Sequence, residues 1–102
     1  MIRYGDTEAQ ELKFVRLRAQ AGPRDEQWTD VEVRFDLEPG TTLPEEISEL
    51  TGWIICTRSG DIVQIVPQDE GRDIEYQFTE QEKEQLRTFY EHEVRPLMTK
   101  KA

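Results

Sequence analysis

The sequence predicts one small α+β domain, in which helices pack on an antiparallel sheet of four or five strands. Three patterns predict this fold. β-Branched and aromatic residues are concentrated in residues 53–78, residues 31–37 alternate between apolar and charged side chains, and residues 79–98 carry apolar side chains at helical spacing. The first two patterns are typical of strands and the third of an amphipathic helix. A chain of 102 residues has the size of one domain, so a single acidic domain over residues 1–102 is expected.

Residues 11–37 are predicted to form a β-hairpin. The alternation over residues 31–37 indicates a half-buried strand, and residues 21–27 are rich in loop-forming residues. Residues 11–20 are ambiguous, because capping residues before them and a Gly-Pro pair after them also fit a helix. We favour a strand there, since it would place basic side chains opposite the acidic ones of residues 30–36.

A short helix is predicted over residues 43–51. Thr42 can cap its first turn, Pro44 suits the start of a helix, and Gly52 suits its end. Three apolar residues would share one face of this helix: Leu43, Ile47 and Leu50. We therefore expect the helix to cover one face of the sheet.

Residues 53–78 are predicted to form a three-stranded meander. Two apolar runs, 53–57 and 62–66, precede a long polar turn and a third, alternating run over residues 74–78. The first two runs are apolar on both faces. In the first run, Ile54 and Cys56 point one way, and Trp53 and Ile55 the other. A strand that is apolar on both faces needs cover on both, so two covering elements are expected.

A long C-terminal helix over residues 79–98 is predicted to be the second cover. Thr79 and Glu82 form a capping box. An apolar stripe of helical period follows, made of Leu86, Phe89, Tyr90, Val94 and Leu97. Pro96 is expected to kink or end the helix.

Charge limits the function classes. The net charge is −9, and residues 25–82 carry sixteen acidic and three basic side chains. Such a field repels nucleic acids and anionic membranes, and it favours cations or a basic protein partner. A purely solubilising role for the charge is the alternative. No apolar run is long enough to span a membrane, no secretory signal is recognisable, and a single cysteine permits no internal disulfide. A cytoplasmic protein is expected.

Catalysis has little support in the sequence. Cys56 lies within an apolar run, where a thiol acts as a small hydrophobic group with a raised pKa. His92 lies between Glu91 and Glu93 on the helix, where solvent exposure is expected. The chain has no phosphate-binding loop and no zinc-ligand spacing. A small enzyme is therefore the third hypothesis, behind two binding functions.

Calcium binding is the second hypothesis. Calcium prefers several carboxylate oxygens on a flexible loop that contains glycine. Asp69, Glu70 and Asp73 flank Gly71 in a polar turn and are the candidate Ca²⁺ ligands. Their spacing does not match the loop of an EF-hand.

The favoured hypothesis is a non-enzymatic acidic binding module, such as an inhibitor, adaptor or regulator. It would engage a protein partner through an acidic and apolar surface, and a homodimer is also compatible with the sequence. Five residues are the candidate partner-binding site: Trp28, Asp30, Glu45, Glu46 and Glu49. Trp28 is the candidate anchor, because tryptophan is enriched at binding hot spots. Trp53 is expected to lie in the core.

Overall fold

The computed structural model describes residues 1–3, 5 and 11–99 of the chain, and it confirms the predicted α+β architecture. Its strands are β1 (Ile2–Arg3), β2 (Phe14–Pro23), β3 (Trp28–Leu37), β4 (Leu50–Thr57), β5 (Ile62–Asp69), β6 (Arg72–Asp73) and β7 (Tyr76–Gln77). The C-terminal helix comprises α1 (Glu80–Phe89), a π-helical turn (Tyr90–Val94) and α2 (Arg95–Thr99).

The main sheet has five strands in the order β2-β3-β4-β5-β6, and each strand is antiparallel to the next. The predicted hairpin is confirmed, so residues 14–20 belong to a strand and not to a helix. Its cross-strand charge pairing is also confirmed. Arg16 and Arg18 lie 2.7 and 3.8 Å from the Asp36 carboxylate. A bulge between Val15 and Arg18 adds one residue to β2, and the φ of Arg16 there is +52°.

The predicted helix over residues 43–51 is wrong. Residues 41–49 form turns and irregular chain, and β4 already begins at Leu50. The Asp69 carboxylate accepts hydrogen bonds from the backbone N–H groups of Ser48 (3.1 Å) and Glu49 (2.7 Å). A helix of about two turns is marginal by itself. Strand pairing and these two hydrogen bonds therefore outweigh the helical spacing of the apolar residues.

The third strand of the predicted meander is also wrong in its position. A two-residue turn at Glu70 and Gly71, with φ of +53° and +80°, joins β5 directly to the short strand β6. Two consecutive residues with positive φ are typical of a tight hairpin turn. β7 then leaves the main sheet and pairs with β1 in a separate two-stranded sheet.

The C-terminal helix begins as predicted. Thr79 Oγ1 accepts the Glu82 N–H (3.2 Å), and the Glu82 carboxylate accepts the Thr79 N–H (2.9 Å). Pro96 does not end the helix. The preceding turn is π-helical, in which the Arg95 N–H donates to the Tyr90 carbonyl five residues back. This wider turn lies just before Pro96, which has no backbone N–H to donate.

The helix covers one face of the sheet, where the core lies. Leu86 packs so closely on Gly52 that a Cβ atom at Gly52 would lie 3.1 Å from the Leu86 side chain. Tyr90 is fully buried and donates a hydrogen bond to the Gly60 carbonyl (2.6 Å). The largest fully buried side chains include Leu12, Val31, Val33, Ile54 and Cys56.

The opposite face lacks its predicted cover among the described residues. Trp28, Trp53, Ile55 and Val66 point to this face, are half-buried, and lie outside the core cluster. The described part of the chain contains one helical element, and it packs on the other face. It contains no helix that is long and apolar enough to cross a membrane.

Candidate protein-binding face

Strand register determines which side chains share the uncovered side of the sheet. Trp28 lies opposite Thr57, Asp30 opposite Ile55, and Glu32 opposite Trp53. Directly opposed residues of antiparallel strands point to the same face. We call this side the open face. Its central residues are Trp28, Asp30, Glu32 and Arg34 on β3, Trp53 and Ile55 on β4, and Gln64 and Val66 on β5.

Trp53 lies near the middle of the open face and contacts a cation. The Arg24 guanidinium carbon lies 4.9 Å from the centroid of the Trp53 ring. Asp30 holds Arg24 in this place, because its carboxylate oxygens lie 3.0 and 3.1 Å from the guanidinium nitrogens. A cation held over an indole ring is attracted by the electrons of the ring face. The result is a polar rim beside an aromatic surface.

Arg34 forms a second polar cluster on the open face. Its guanidinium lies 2.9 Å from Glu32 and 3.5 Å from Glu49. The hydrogen bond to Glu32 and the negative charges of Glu32 and Glu49 raise the pKa of Arg34. All three side chains remain partly in solvent, so they can rearrange when another surface approaches.

Two acidic stretches that are separate in the sequence meet at one end of the sheet. Residues 45–49 and 69–75 together carry seven carboxylates and one arginine. Asp69 accepts the N–H groups of Ser48 and Glu49, and the Tyr76 hydroxyl donates to Glu46 (2.7 Å). We call these two stretches the acidic end. The sheet thus carries a concentrated negative charge at the end where β4 begins.

The five predicted partner-binding residues are divided between these two surfaces. Trp28 and Asp30 lie on the open face, at the end of β4 that is far from the acidic end. Glu45, Glu46 and Glu49 are exposed at the acidic end and not on a helix. A strand of this length separates the two groups by roughly 25 Å. Glu49 connects them, because it contacts Arg34 of the open face.

Trp53 is the principal residue that the sequence placed wrongly. It was expected in the core, yet it is half-buried on the open face and does not belong to the core cluster. The alternation in β4 contains the signal, since Ile54 and Cys56 point to the helix and are fully buried. Trp53 stays partly exposed because the helix predicted over residues 43–51, which was expected to cover this face, does not form.

The three candidate calcium ligands have different local roles. The Asp69 carboxylate binds two backbone N–H groups, and Asp73 accepts a long hydrogen bond from Gln68 Nε2 (3.4 Å). Glu70 is exposed in the turn. Within residues 1–3, 5 and 11–99, no three or more His, Cys, Asp or Glu side chains are grouped to hold a metal ion. Calcium binding stays a prediction.

Cys56 and His92 are not brought together. Cys56 is fully buried, and burial raises the pKa of its thiol, while a hydrogen bond to Tyr90 acts in the opposite direction. Burial and the contact with Cys56 also raise the pKa of the Tyr90 hydroxyl. His92 is exposed in the π-helical turn. A thiol with a raised pKa is a poor nucleophile near neutral pH.

Comparison of the chain with protein-family models, with curated proteins and with solved structures finds no match.

Proposed function

We propose that this protein is a non-enzymatic binding module of the cytoplasm, acting as an inhibitor, adaptor or regulator. It binds a basic protein partner through the open face and the acidic end. One observation carries the proposal. Trp28, Trp53 and Ile55 are only half-buried, and they lie outside the core on a face that no described helix covers.

Burial of these side chains supplies the affinity. Trp28 and Trp53 are partly exposed, and a partner would bury the part of each ring that is still in solvent. Tryptophan is enriched at the centres of interfaces. The ion pairs of Arg24 with Asp30 and of Arg34 with Glu32 border the aromatic surface. This arrangement of an apolar centre and a polar rim is typical of protein interfaces.

The acidic end supplies attraction over distance. Its carboxylates belong to two chain segments that Asp69 holds together. A concentrated charge accelerates association with an oppositely charged surface, and dissolved salt weakens this effect. The affinity for the partner is therefore expected to fall as the salt concentration rises.

A comparative capture experiment tests the proposal. The protein is immobilised and exposed to native lysate in three forms: wild type, Trp53→Ala and Leu97→Ser. Leu97 is the control because it is 63% exposed on the helix, away from the open face. Circular dichroism and thermal unfolding check that each variant folds. We expect the wild type and Leu97→Ser to capture the same basic protein in similar amounts. Trp53→Ala should capture about tenfold less of it.

Tryptophan fluorescence gives an independent measurement with the captured protein. Both tryptophans of the chain lie on the open face. Binding there should shift their emission and protect them from acrylamide quenching. A partner that binds without altering either signal, or that Trp53→Ala retains as strongly as the wild type, would contradict the proposal.

A further inference from the structure

The outer edge of β2 carries no neighbouring strand within the described part of the chain, because β2 is the first strand of the main sheet. Alternate N–H and C=O groups of an edge strand point away from the sheet and can pair with another strand. The bulge at Arg16 hinders such pairing at the start of β2. Residues 18–23 beyond the bulge pair regularly with β3. This half of the edge has the geometry that an added strand needs.

A groove with a mainly apolar lining and a volume of about 690 Å³ lies between this half of β2 and the end of the helix. Ala19 and Ala21 form part of its floor, and Phe89, Val94 and Leu97 are the apolar residues of its helical wall. Arg58 and Glu93 add one positive and one negative group to the lining. Leu97 is 63% exposed, although its neighbour Val94 is buried. Leu97 therefore presents apolar surface to the groove. A strand added to β2 would continue the floor, and its alternate side chains would lie under this wall.

The other side of β2 is basic. Arg16 and Arg18 have side chains that are 78% and 58% exposed. Both contact the single carboxylate of Asp36, so two positive charges share one negative charge. β2 contains no acidic residue, although the chain has a net charge of −9. Carboxylates of an added strand that lie beside Arg16 and Arg18 would pair with these positive charges.

We propose that the β2 edge binds an extended segment of a partner protein, in which apolar residues and carboxylates alternate. The segment adds to the sheet as a further strand. Its apolar side chains enter the groove beside Phe89 and Leu97, and its carboxylates face Arg16 and Arg18. Main-chain hydrogen bonds supply affinity, and the two chemically different sides of β2 supply specificity. Arg18 lies directly opposite Arg34, so the basic side of β2 continues the open face at its edge, whereas the groove lies on the helix side. The β2 edge is distinct from the aromatic centre of the open face and selects the opposite charge.

A second copy of the chain fits this edge less well. Pairing of β2 with another β2 would bring the arginines of both strands to one sheet side. The net charge of −9 on each copy adds repulsion between the two molecules. Charge complementarity therefore favours an acidic segment over self-association.

A short peptide of alternating valine and glutamate, labelled with fluorescein, is the probe. Its binding is followed by fluorescence anisotropy, and a valine–lysine peptide serves as the charge control. Two protein variants carry the same change: Leu97→Glu alters the groove wall, and Val63→Glu alters a site that is 55% exposed on β5. We expect Leu97→Glu to weaken binding about tenfold and Val63→Glu to change it by less than about twofold. Arg16→Gln with Arg18→Gln should also weaken it, whereas Arg72→Gln should not.

Amide hydrogen exchange locates the bound peptide. Bound peptide should slow exchange of outward N–H groups within residues 18–22, and Trp53→Ala should leave peptide affinity unchanged. The second result separates this proposal from the function proposed for the open face. Three results would overturn it: no peptide binding, equal binding of the lysine peptide, or equal effects of Leu97→Glu and Val63→Glu. A dimer in sedimentation experiments, with β2 amides protected without peptide, would assign the edge to a second copy.

Discussion

At the scale of single residues, one buried carboxylate connects three parts of the chain. Glu82 is fully buried, and its oxygens accept hydrogen bonds from the N–H groups of Leu12 (2.8 Å) and Thr79 (2.9 Å) and from the Met1 ammonium group. It therefore caps the helix and also fastens the entry to β2 and the start of the chain. A buried charge is tolerated where such partners replace its water.

Glu82→Gln should lower the free energy of unfolding by about 3 kcal/mol, because a neutral amide places an NH₂ group among hydrogen-bond donors and removes the negative charge that faces the ammonium group. Urea unfolding measures the change. Glu84→Gln is the matched control, since Glu84 is exposed on the same helix, and it should change the value by less than about 0.5 kcal/mol. Equal losses in the two variants would show that Glu82 has no special role.

Close packing of the helix on β4 makes a second prediction. Gly52→Ala would place a Cβ atom 3.1 Å from Leu86 Cδ1, so the Leu86 side chain must move. We expect a loss of about 1–3 kcal/mol in the free energy of unfolding. Gly22→Ala is the control, because a Cβ atom there meets nothing within 4 Å. If both variants unfold at the same urea concentration as the wild type, the helix packs less closely than the structure shows.

The buried thiol predicts how stability depends on pH. The pKa of Cys56 is raised in the folded protein, so the folded state keeps its proton where the unfolded state has lost it. The contribution of this thiol to the free energy of unfolding is fully present below the pKa of an unfolded cysteine, about 8.5, and it decreases as the pH rises above that value. Urea unfolding between about pH 7 and pH 10 should show this fall. Cys56→Ala should flatten it over that range, and an unchanged slope would contradict the assignment.

At the scale of elements, the sequence predicts best where local pattern and long-range pairing agree. The alternation of residues 31–37 and the capping box at Thr79 predict β3 and the helix start correctly. The apolar residues of 43–51 have helical spacing. The Glu49 backbone N–H nevertheless donates a hydrogen bond to Asp69, which lies twenty residues further along the chain. No local signal reports that contact. The open face was unpredictable for the same reason, because its exposure follows from a cover that does not form.

Asp69 is therefore expected to hold the loop that replaces the predicted helix. Asp69→Ala removes the acceptor for the N–H groups of Ser48 and Glu49 and should cost about 1–3 kcal/mol. Asp73→Ala loses only one long contact, at 3.4 Å to Gln68, and should cost less than about 0.5 kcal/mol. Urea unfolding provides the comparison, and amide exchange at residues 48 and 49 should accelerate in Asp69→Ala alone. Equal costs would mean that strand pairing by itself fixes the loop.

At the scale of the whole molecule, charge is segregated. The acidic end gathers seven carboxylates, whereas β2 carries arginines without any acidic residue. Crowded carboxylates repel one another in the folded state and relax when the chain unfolds. The same crowding attracts a basic partner. A charge arrangement that helps binding thus reduces stability.

Salt should consequently act in opposite directions on folding and on binding. Raising sodium chloride from about 0.01 M to about 0.5 M shortens the Debye length from about 30 Å to about 4 Å, so repulsion within the acidic end weakens. The thermal midpoint should rise, while the affinity for a basic partner falls. Glu45→Gln with Glu70→Gln should raise the midpoint at low salt and lessen both salt effects. The control, Glu80→Gln with Glu84→Gln, removes the same charge from the helix. It should neither raise the midpoint at low salt nor lessen the salt effects. A midpoint that falls with salt, or equal effects of the two double variants, would show that the acidic end is neither strained nor specific.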